Sequence, residues 1–189
     1  MQRIIKQKND IAFKALERLM EGNRTYLDTD GGVGDVSLGR RLETYQNGQR
    51  PYAVVVSCAD SRVIPEAIFS VGIGELFVIR VAGNVVGDYE LGSIEYAVEH
   101  LGCRLVVVLG HTGCGAVNAA LNENHGHVKH ITDEIKRAIG TETDAEKASV
   151  MNVAQSVSKI QNAMHDTENL LVVGALYHTE SGIVDFGVE

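Results

Sequence analysis

The sequence predicts an α/β fold of three layers, α-β-α, around a mainly parallel central sheet. Three observations predict it. First, four short runs are apolar at every position: Tyr52–Val56, Leu76–Ile79, Leu105–Leu109 and Leu170–Val173. Unbroken runs of this kind suit strands buried on both faces, whereas a strand with one wet face alternates. Second, helix-like stretches lie between them, and strand–helix alternation is the pattern of parallel strands joined by crossover helices. Third, glycine is frequent, at 20 residues, while proline is scarce, at 2. Glycine without proline marks tight turns between regular elements rather than a flexible linker.

Taken in order, Asn9 to Leu27 carries Ile11, Leu16, Leu19, Met20 and Leu27 among charged residues and reads as an amphipathic helix. Gly31, Gly32 and Gly34 break it. Leu38 to Tyr45 reads as a short helix ended by Asn47-Gly48, and the first strand run follows from Tyr52. Helices are expected over Pro65–Ser70, Glu90–His100, Gly115–Glu123, Lys129–Ile139 and Glu146–His165. In the last of these, Val150, Val153, Val157, Ile160 and Met164 recur at spacings of three and four. The acidic residues of Glu142–Glu146 read as its solvated start. A C-terminal hairpin is expected, with Glu180-Ser181-Gly182 turning into an antiparallel edge strand at Ile183–Phe186.

The chain has 189 residues, enough for one domain to bury most of its apolar surface, and no composition shift divides it. It reads as a single domain, 1–189, with residues 1–30 forming an N-terminal helical arm. Hydrophobic residues make up 44% and charged residues 22%, which excludes a disordered or collagen-like chain. The formal charge of −8 gives no footprint for nucleic acid or for an anionic membrane surface. No apolar run approaches a membrane span, and the basic start MQRIIKQKND leads into polar sequence rather than a signal peptide. Three cysteines are too few, and odd in number, for a disulfide framework, which points to the reducing cytoplasm.

Two clusters carry chemistry. Cys58-Ala59-Asp60-Ser61-Arg62 follows the first strand run, and His111-Thr112-Gly113-Cys114-Gly115 follows the third. Ligands of an open parallel sheet gather beyond the carboxyl ends of its strands, so the two clusters can meet. Two thiolates and an imidazole suit zinc, and three protein ligands leave a fourth position open for water. His111 and Cys114, three apart, are expected on one face of an opening helical turn. Asp60 and Arg62 flank Ser61, so the guanidinium can fork onto the carboxylate, orient it and keep it ionised. Cys103 stands outside any polar cluster and reads as a buried packing residue. His100, His125, His127, His130, His165 and His178 lie in polar sequence and read as solvated or structural. A phosphate cradle at Gly110–Gly115 is the competing reading, but both the Walker lysine and a true GxGxxG are absent.

Four segments together resemble the β-class carbonic anhydrases: CADSRV at Cys58–Val63, RVAGNVV at Arg80–Val86, GSIEYAV at Gly92–Val98 and GHTGCGAV at Gly110–Val117. The resemblance runs from Glu21-Gly22-Asn23 to the terminal GIVDF at Gly182–Phe186. It implies one Zn2+ per subunit on Cys58, His111 and Cys114, with Asp60 and Arg62 as the catalytic pair. It also implies reversible hydration of carbon dioxide to bicarbonate and a proton. Gln49, Phe77 and Tyr96 match substrate-pocket positions of plant-like members. The resemblance further implies a homodimer or a dimer-based tetramer, its N-terminal helix embracing the neighbour and each active site at the subunit interface. In some members a tryptophan three residues before the first cysteine serves a bicarbonate effector site; this chain has Val55 there and no Trp. A carbon disulfide or carbonyl sulfide hydrolase on the same scaffold, and a non-catalytic zinc-folded module, share the metal set and remain open at this point.

Overall fold

The computed structural model describes residues 2–29, 34–122 and 126–188, with side chains from Ile11 onward. Helix α1 spans Gln2–Asp28 and α2 spans Leu38–Asn47. The chain then alternates: β1 (Ala53–Ser57), α3 (Pro65–Ile68), β2 (Leu76–Arg80), a 3-10 turn (Ala82–Asn84), α4 (Asp88–Glu99), β3 (Leu105–His111) and α5 (Gly115–Ala120). It continues through α6 (Val128–Ile139), α7 (Ala145–Ala163), β4 (Leu171–Tyr177) and β5 (Val184–Phe186). The strands form one sheet in the order β2-β1-β3-β4-β5. The first four are parallel, and β5 returns antiparallel on β4, as the hairpin reading required.

Each strand run feeds two cores, because successive side chains point to opposite faces. Ala53 and Val55 of β1, with Leu105, Val107 and Leu109 of β3, pack under Leu19 of α1 and Ile68 of α3. Val54 and Val56, with Val106 and Val108, face Ile94 and Val98 of α4 and Val153 and Ile160 of α7. These are the two faces of a three-layer fold. Every residue of β1 and β3 is buried, whereas the edge strand β2 is only partly covered. A third, smaller core lies past the strand ends, where α5 and α6 bring Val117, Ile135 and Ile139 around Cys58 and Cys114.

Helix ends follow capping chemistry. Ser37 caps α2 by accepting from the Arg40 amide at 3.2 Å. Asp144 accepts from the amides of Glu146 and Lys147 at 3.0 and 2.9 Å, so the acidic stretch read as a solvated start holds the N-cap of α7. The helix expected to reach Glu123 ends at Ala120; Glu123, Gly31, Gly32 and His125 lie outside the described residues. The helix expected from Asn9 begins seven residues earlier, at Gln2. No helix among the described residues is long and apolar enough to cross a membrane.

Candidate metal centre

The parallel register sets Ser57 beside Leu109, so the residues leaving β1 and β3 emerge together. Cys58 is the first residue past β1, His111 is the last of β3, and Cys114 is the N-cap of α5. All three are buried, and their ligating atoms lie within 4.8 Å of one another. The helical-turn expectation for His111 and Cys114 is corrected here. A strand end and a helix cap are joined by a turn in which Gly113 has φ +67, a left-handed conformation that a side chain would strain.

The donor set fits a tetrahedral zinc ion. The Cys58 and Cys114 sulfurs are 4.0 Å apart. Two Zn–S bonds of about 2.3 Å at a tetrahedral angle require about 3.8 Å, whereas a disulfide requires about 2.05 Å; all three cysteines are free. His111 Nδ1 donates to the Thr112 carbonyl at 3.0 Å. That bond fixes the tautomer and leaves the Nε2 lone pair free. Nε2 is buried and has no hydrogen-bond partner. A buried polar nitrogen is rarely left unpaired, and a cation among these donors is the partner its chemistry calls for.

The sulfurs carry charge. Hydrogen bonding from the Cys114 thiol, and further bonds from the amides of Gly83 and Asp60, hold the Cys58 thiol well below its usual range against the opposing effect of burial. The same contact, with burial, pushes the Cys114 thiol up, so the pair holds one proton between them. A dication would displace that proton. Next to the sulfurs, Arg62 forks onto Asp60, Nε to Oδ1 at 2.9 Å and Nη2 to Oδ2 at 2.8 Å. The fork, reinforced by the Arg62 amide, holds the Asp60 carboxyl well below the usual carboxylate range. Asp60 Oδ2 lies 3.9 Å from His111 Nε2, so this oxygen borders the ligand set. Arg62 Nη2 also donates to the Gly113 carbonyl at 3.1 Å, tying the pair to the turn that carries His111 and Cys114.

The family model described as carbonic anhydrase matches residues 53–184, the stretch that builds the four parallel strands and all of these groups. This chain belongs to the carbonic anhydrase family, in its β class. A carbonic anhydrase of Mycolicibacterium smegmatis is 36% identical over 92% of this chain and 91% of its own length. Carbonic anhydrase 2 of Mycobacterium tuberculosis is 61% identical over 39% of this chain, and the match spans only 36% of that protein's length. The β-carbonic anhydrase of Coccomyxa, solved in complex with acetazolamide, superposes with a TM-score of 0.68 at 28% identity, over 88% of this chain and 83% of that one.

The other residues singled out in the sequence lie elsewhere in the chain. Gln49 is exposed ahead of β1, where the neighbouring Arg50 amide bonds the Gly74 carbonyl at 3.2 Å. Phe77 pairs in register with Val54, and its ring sits 6.1 Å from that of half-exposed Tyr96. All three therefore lie toward the amino ends of β1 and β2, while Cys58 leaves the carboxyl end. Five strand residues at about 3.3 Å each keep the groups apart. Two residues beside the metal set went unnoticed in the sequence. Arg80 donates from Nε to the Cys58 carbonyl at 3.1 Å and from Nη2 to the Asp60 carbonyl at 2.7 Å, clamping the loop that carries both. Gly83 donates its amide to Cys58 Sγ at 3.2 Å. Their only sequence signal is membership of the RVAGNVV segment.

Proposed function

We propose that this chain hydrates carbon dioxide reversibly to bicarbonate and a proton, with one zinc ion held by Cys58, His111 and Cys114. The observation that carries this reading is the convergence of two sulfurs and an unpartnered Nε2, with Asp60 Oδ2 at 3.9 Å. Zinc held by these three residues would supply the Lewis acidity that makes a water nucleophilic there. Asp60, kept ionised by Arg62, can accept a hydrogen bond but not donate one. It takes an O–H of the attacking water on Oδ2 and so turns the oxygen lone pair toward the carbon of carbon dioxide. Bicarbonate forms as that oxygen bonds the carbon, and the proton leaves to solvent. Arg62 and Arg80 hold the carboxylate and its loop in place, so no reorganisation is needed when charge develops.

Gln49, Phe77 and Tyr96 act on substrate in this reading only when a second copy brings its own Gln49–Phe77–Tyr96 surface against the metal set. Three features support a dimer, or a dimer-based tetramer. Among the described residues, the outer edge of β2 has no neighbouring strand. Helix α2 buries none of its residues and exposes Leu38, Leu42 and Tyr45. Helix α1 exposes Phe13 and Met20. The 1–189 domain would then use its N-terminal helix as an arm around the partner. Three free thiols suit a reducing compartment, the cytoplasm.

Zinc analysis with stopped-flow carbon dioxide hydration tests the proposal. One zinc per subunit and turnover rising from pH 7 to 9 are expected, since thiolate donors weaken the Lewis acidity of the ion relative to imidazoles. Full zinc without hydration across that range overturns the catalytic reading. Faster turnover of carbonyl sulfide or carbon disulfide in parallel assays would replace the substrate.

A further inference from the structure

Helix α7 contributes no ligand, yet its buried face presents polar side chains, Ser149, Asn152 and Ser156, where a helix packed on a sheet would ordinarily present apolar ones. Two of them reach the same place. Asn152 Nδ2 donates to the Gly83 carbonyl at 2.7 Å, and Ser156 Oγ donates to the Asn84 carbonyl at 3.2 Å. Both carbonyls belong to the 3-10 turn after β2, and Gly83 of that turn sends its amide to Cys58 Sγ. Gly83 is thus gripped from two sides, its carbonyl by α7 and its amide by a ligand sulfur. It has φ +70, and a Cβ there would meet Ile135 Cδ1 at 2.9 Å and Ala116 Cβ at 3.0 Å. The bonds from α7 hold the carbonyls of this turn, beside the turn's own bond from the Asn84 amide to the Val81 carbonyl at 3.0 Å. Asn152 makes the shorter of the two bonds from α7.

We propose that Asn152 is a positioning residue for the metal centre: by anchoring the Gly83 carbonyl it keeps the Gly83 amide on Cys58 Sγ and so sets how much charge that sulfur gives the ion. The proposal rests on Cys58 being a ligand. An N–H bond to a thiolate draws density off the sulfur and fixes its lone pairs, and partners of this kind commonly change metal affinity by about 10- to 100-fold when removed. Ser156, one carbonyl further along the turn, has the smaller part.

Zinc affinity measured by chelator competition on the full chain tests this, using Asn152→Asp, Asn152→Ala, Ser156→Ala and Val153→Ala. Asn152→Asp keeps the size but turns the donor against the Gly83 carbonyl. Both Asn152 variants are expected to bind zinc 10- to 100-fold more weakly. Their cobalt-loaded forms should show a shifted sulfur-to-cobalt charge-transfer band. Ser156→Ala should lose less than the Asn152 variants. Val153→Ala, which removes packing from the same helix without touching the turn, should keep wild-type affinity and band. Wild-type affinity and an unmoved band in a folded Asn152 variant overturn the proposal, as does an equal loss in Val153→Ala. Where neither Asn152 variant folds, the wild-type protein loaded with cadmium-113 decides. Scalar coupling from cadmium to the Gly83 amide proton and slow exchange of the Asn152 side-chain amide protons are expected, and absence of either overturns it. A wild-type protein that binds no zinc would instead sink the metal reading itself.

Discussion

Asn23 staples both ends of the chain to the sheet, and removing its amide should be one of the most damaging single changes away from the metal centre. The residue is buried on α1. Its Nδ2 donates to the Ile68 carbonyl at 3.2 Å and the Gly182 carbonyl at 3.0 Å, and its Oδ1 accepts from the Val184 amide at 3.0 Å. One side chain thereby joins α1, the end of α3 and the β4–β5 hairpin. Asn23→Ala strands a buried N–H, at about 1–3 kcal/mol, and removes a partner from two carbonyls, at about 1 kcal/mol each. The total is about 3–5 kcal/mol, a large share of the roughly 5–15 kcal/mol that holds a domain folded. At about 2–4 °C per kcal/mol for a chain of this size, the melting temperature should fall on the order of 10 °C. Asn23→Asp keeps the acceptor for Val184 but faces two carbonyl oxygens with a third, and should cost at least as much at pH 7. Thermal unfolding followed by circular dichroism reads both variants, with exposed Thr25→Ala as the control. A drop below 3 °C in Asn23→Ala would refute the three-bond staple.

On the proposed mechanism, in which the Asp60 carboxylate directs water without holding the metal, Asp60→Asn should lower turnover by about 10- to 100-fold while zinc stays bound; stopped-flow rates beside metal analysis check this. The Asp60 carboxyl is held down in the folded protein, first by the Arg62 side chain. Its contribution to stability is therefore complete above the unfolded carboxyl pKa of about 4 and fades as pH falls below it. The stability gap between metal-free wild type and Asp60→Asn should shrink from pH 7 to pH 3, as melting curves would show, and it should stay under about 1 kcal/mol because Arg62 is more than half exposed. Cys103 is buried, bonds the Pro51 carbonyl at 3.4 Å, and has its thiol pushed up to about 11 by burial. It should resist an aromatic disulfide reagent at pH 8 until the chain unfolds, leaving two reactive thiols at most in folded, zinc-stripped protein.

The sheet was legible because its central strands are buried on both faces, which writes β1 and β3 as unbroken valine-rich runs. Helix ends were less legible. Glu142–Glu146 reads as a solvated helix start, which it is, but composition did not single out Asp144 as the residue that caps α7. The start of α1 ahead of Asn9 was missed because MQRIIKQK has no clean apolar stripe. Asn23 shows a deeper limit. Its neighbours in the fold, Gly182 and Val184, lie at the other end of the chain, and no local pattern pairs them.

The metal centre divides along the same physical line. Cys58 and His111 sit at the carboxyl ends of adjacent parallel strands, so knowing the strand runs was enough to bring them together, and Cys114 follows within one turn. Arg80 spends its guanidinium on the backbone carbonyls of Cys58 and Asp60, and Gly83 gives its backbone amide to sulfur; both bonds join residues at least 20 positions apart, which no local pattern pairs. Gln49, Phe77 and Tyr96 differ again. β1 is only five residues long, but that length suffices to hold Gln49 at one end of the sheet and Cys58 at the other. No rearrangement that keeps the β1–β2 register can close this gap within one subunit. If these side chains meet the substrate they do so across a contact between two copies, and disrupting that contact should abolish turnover while leaving the zinc affinity of each subunit intact.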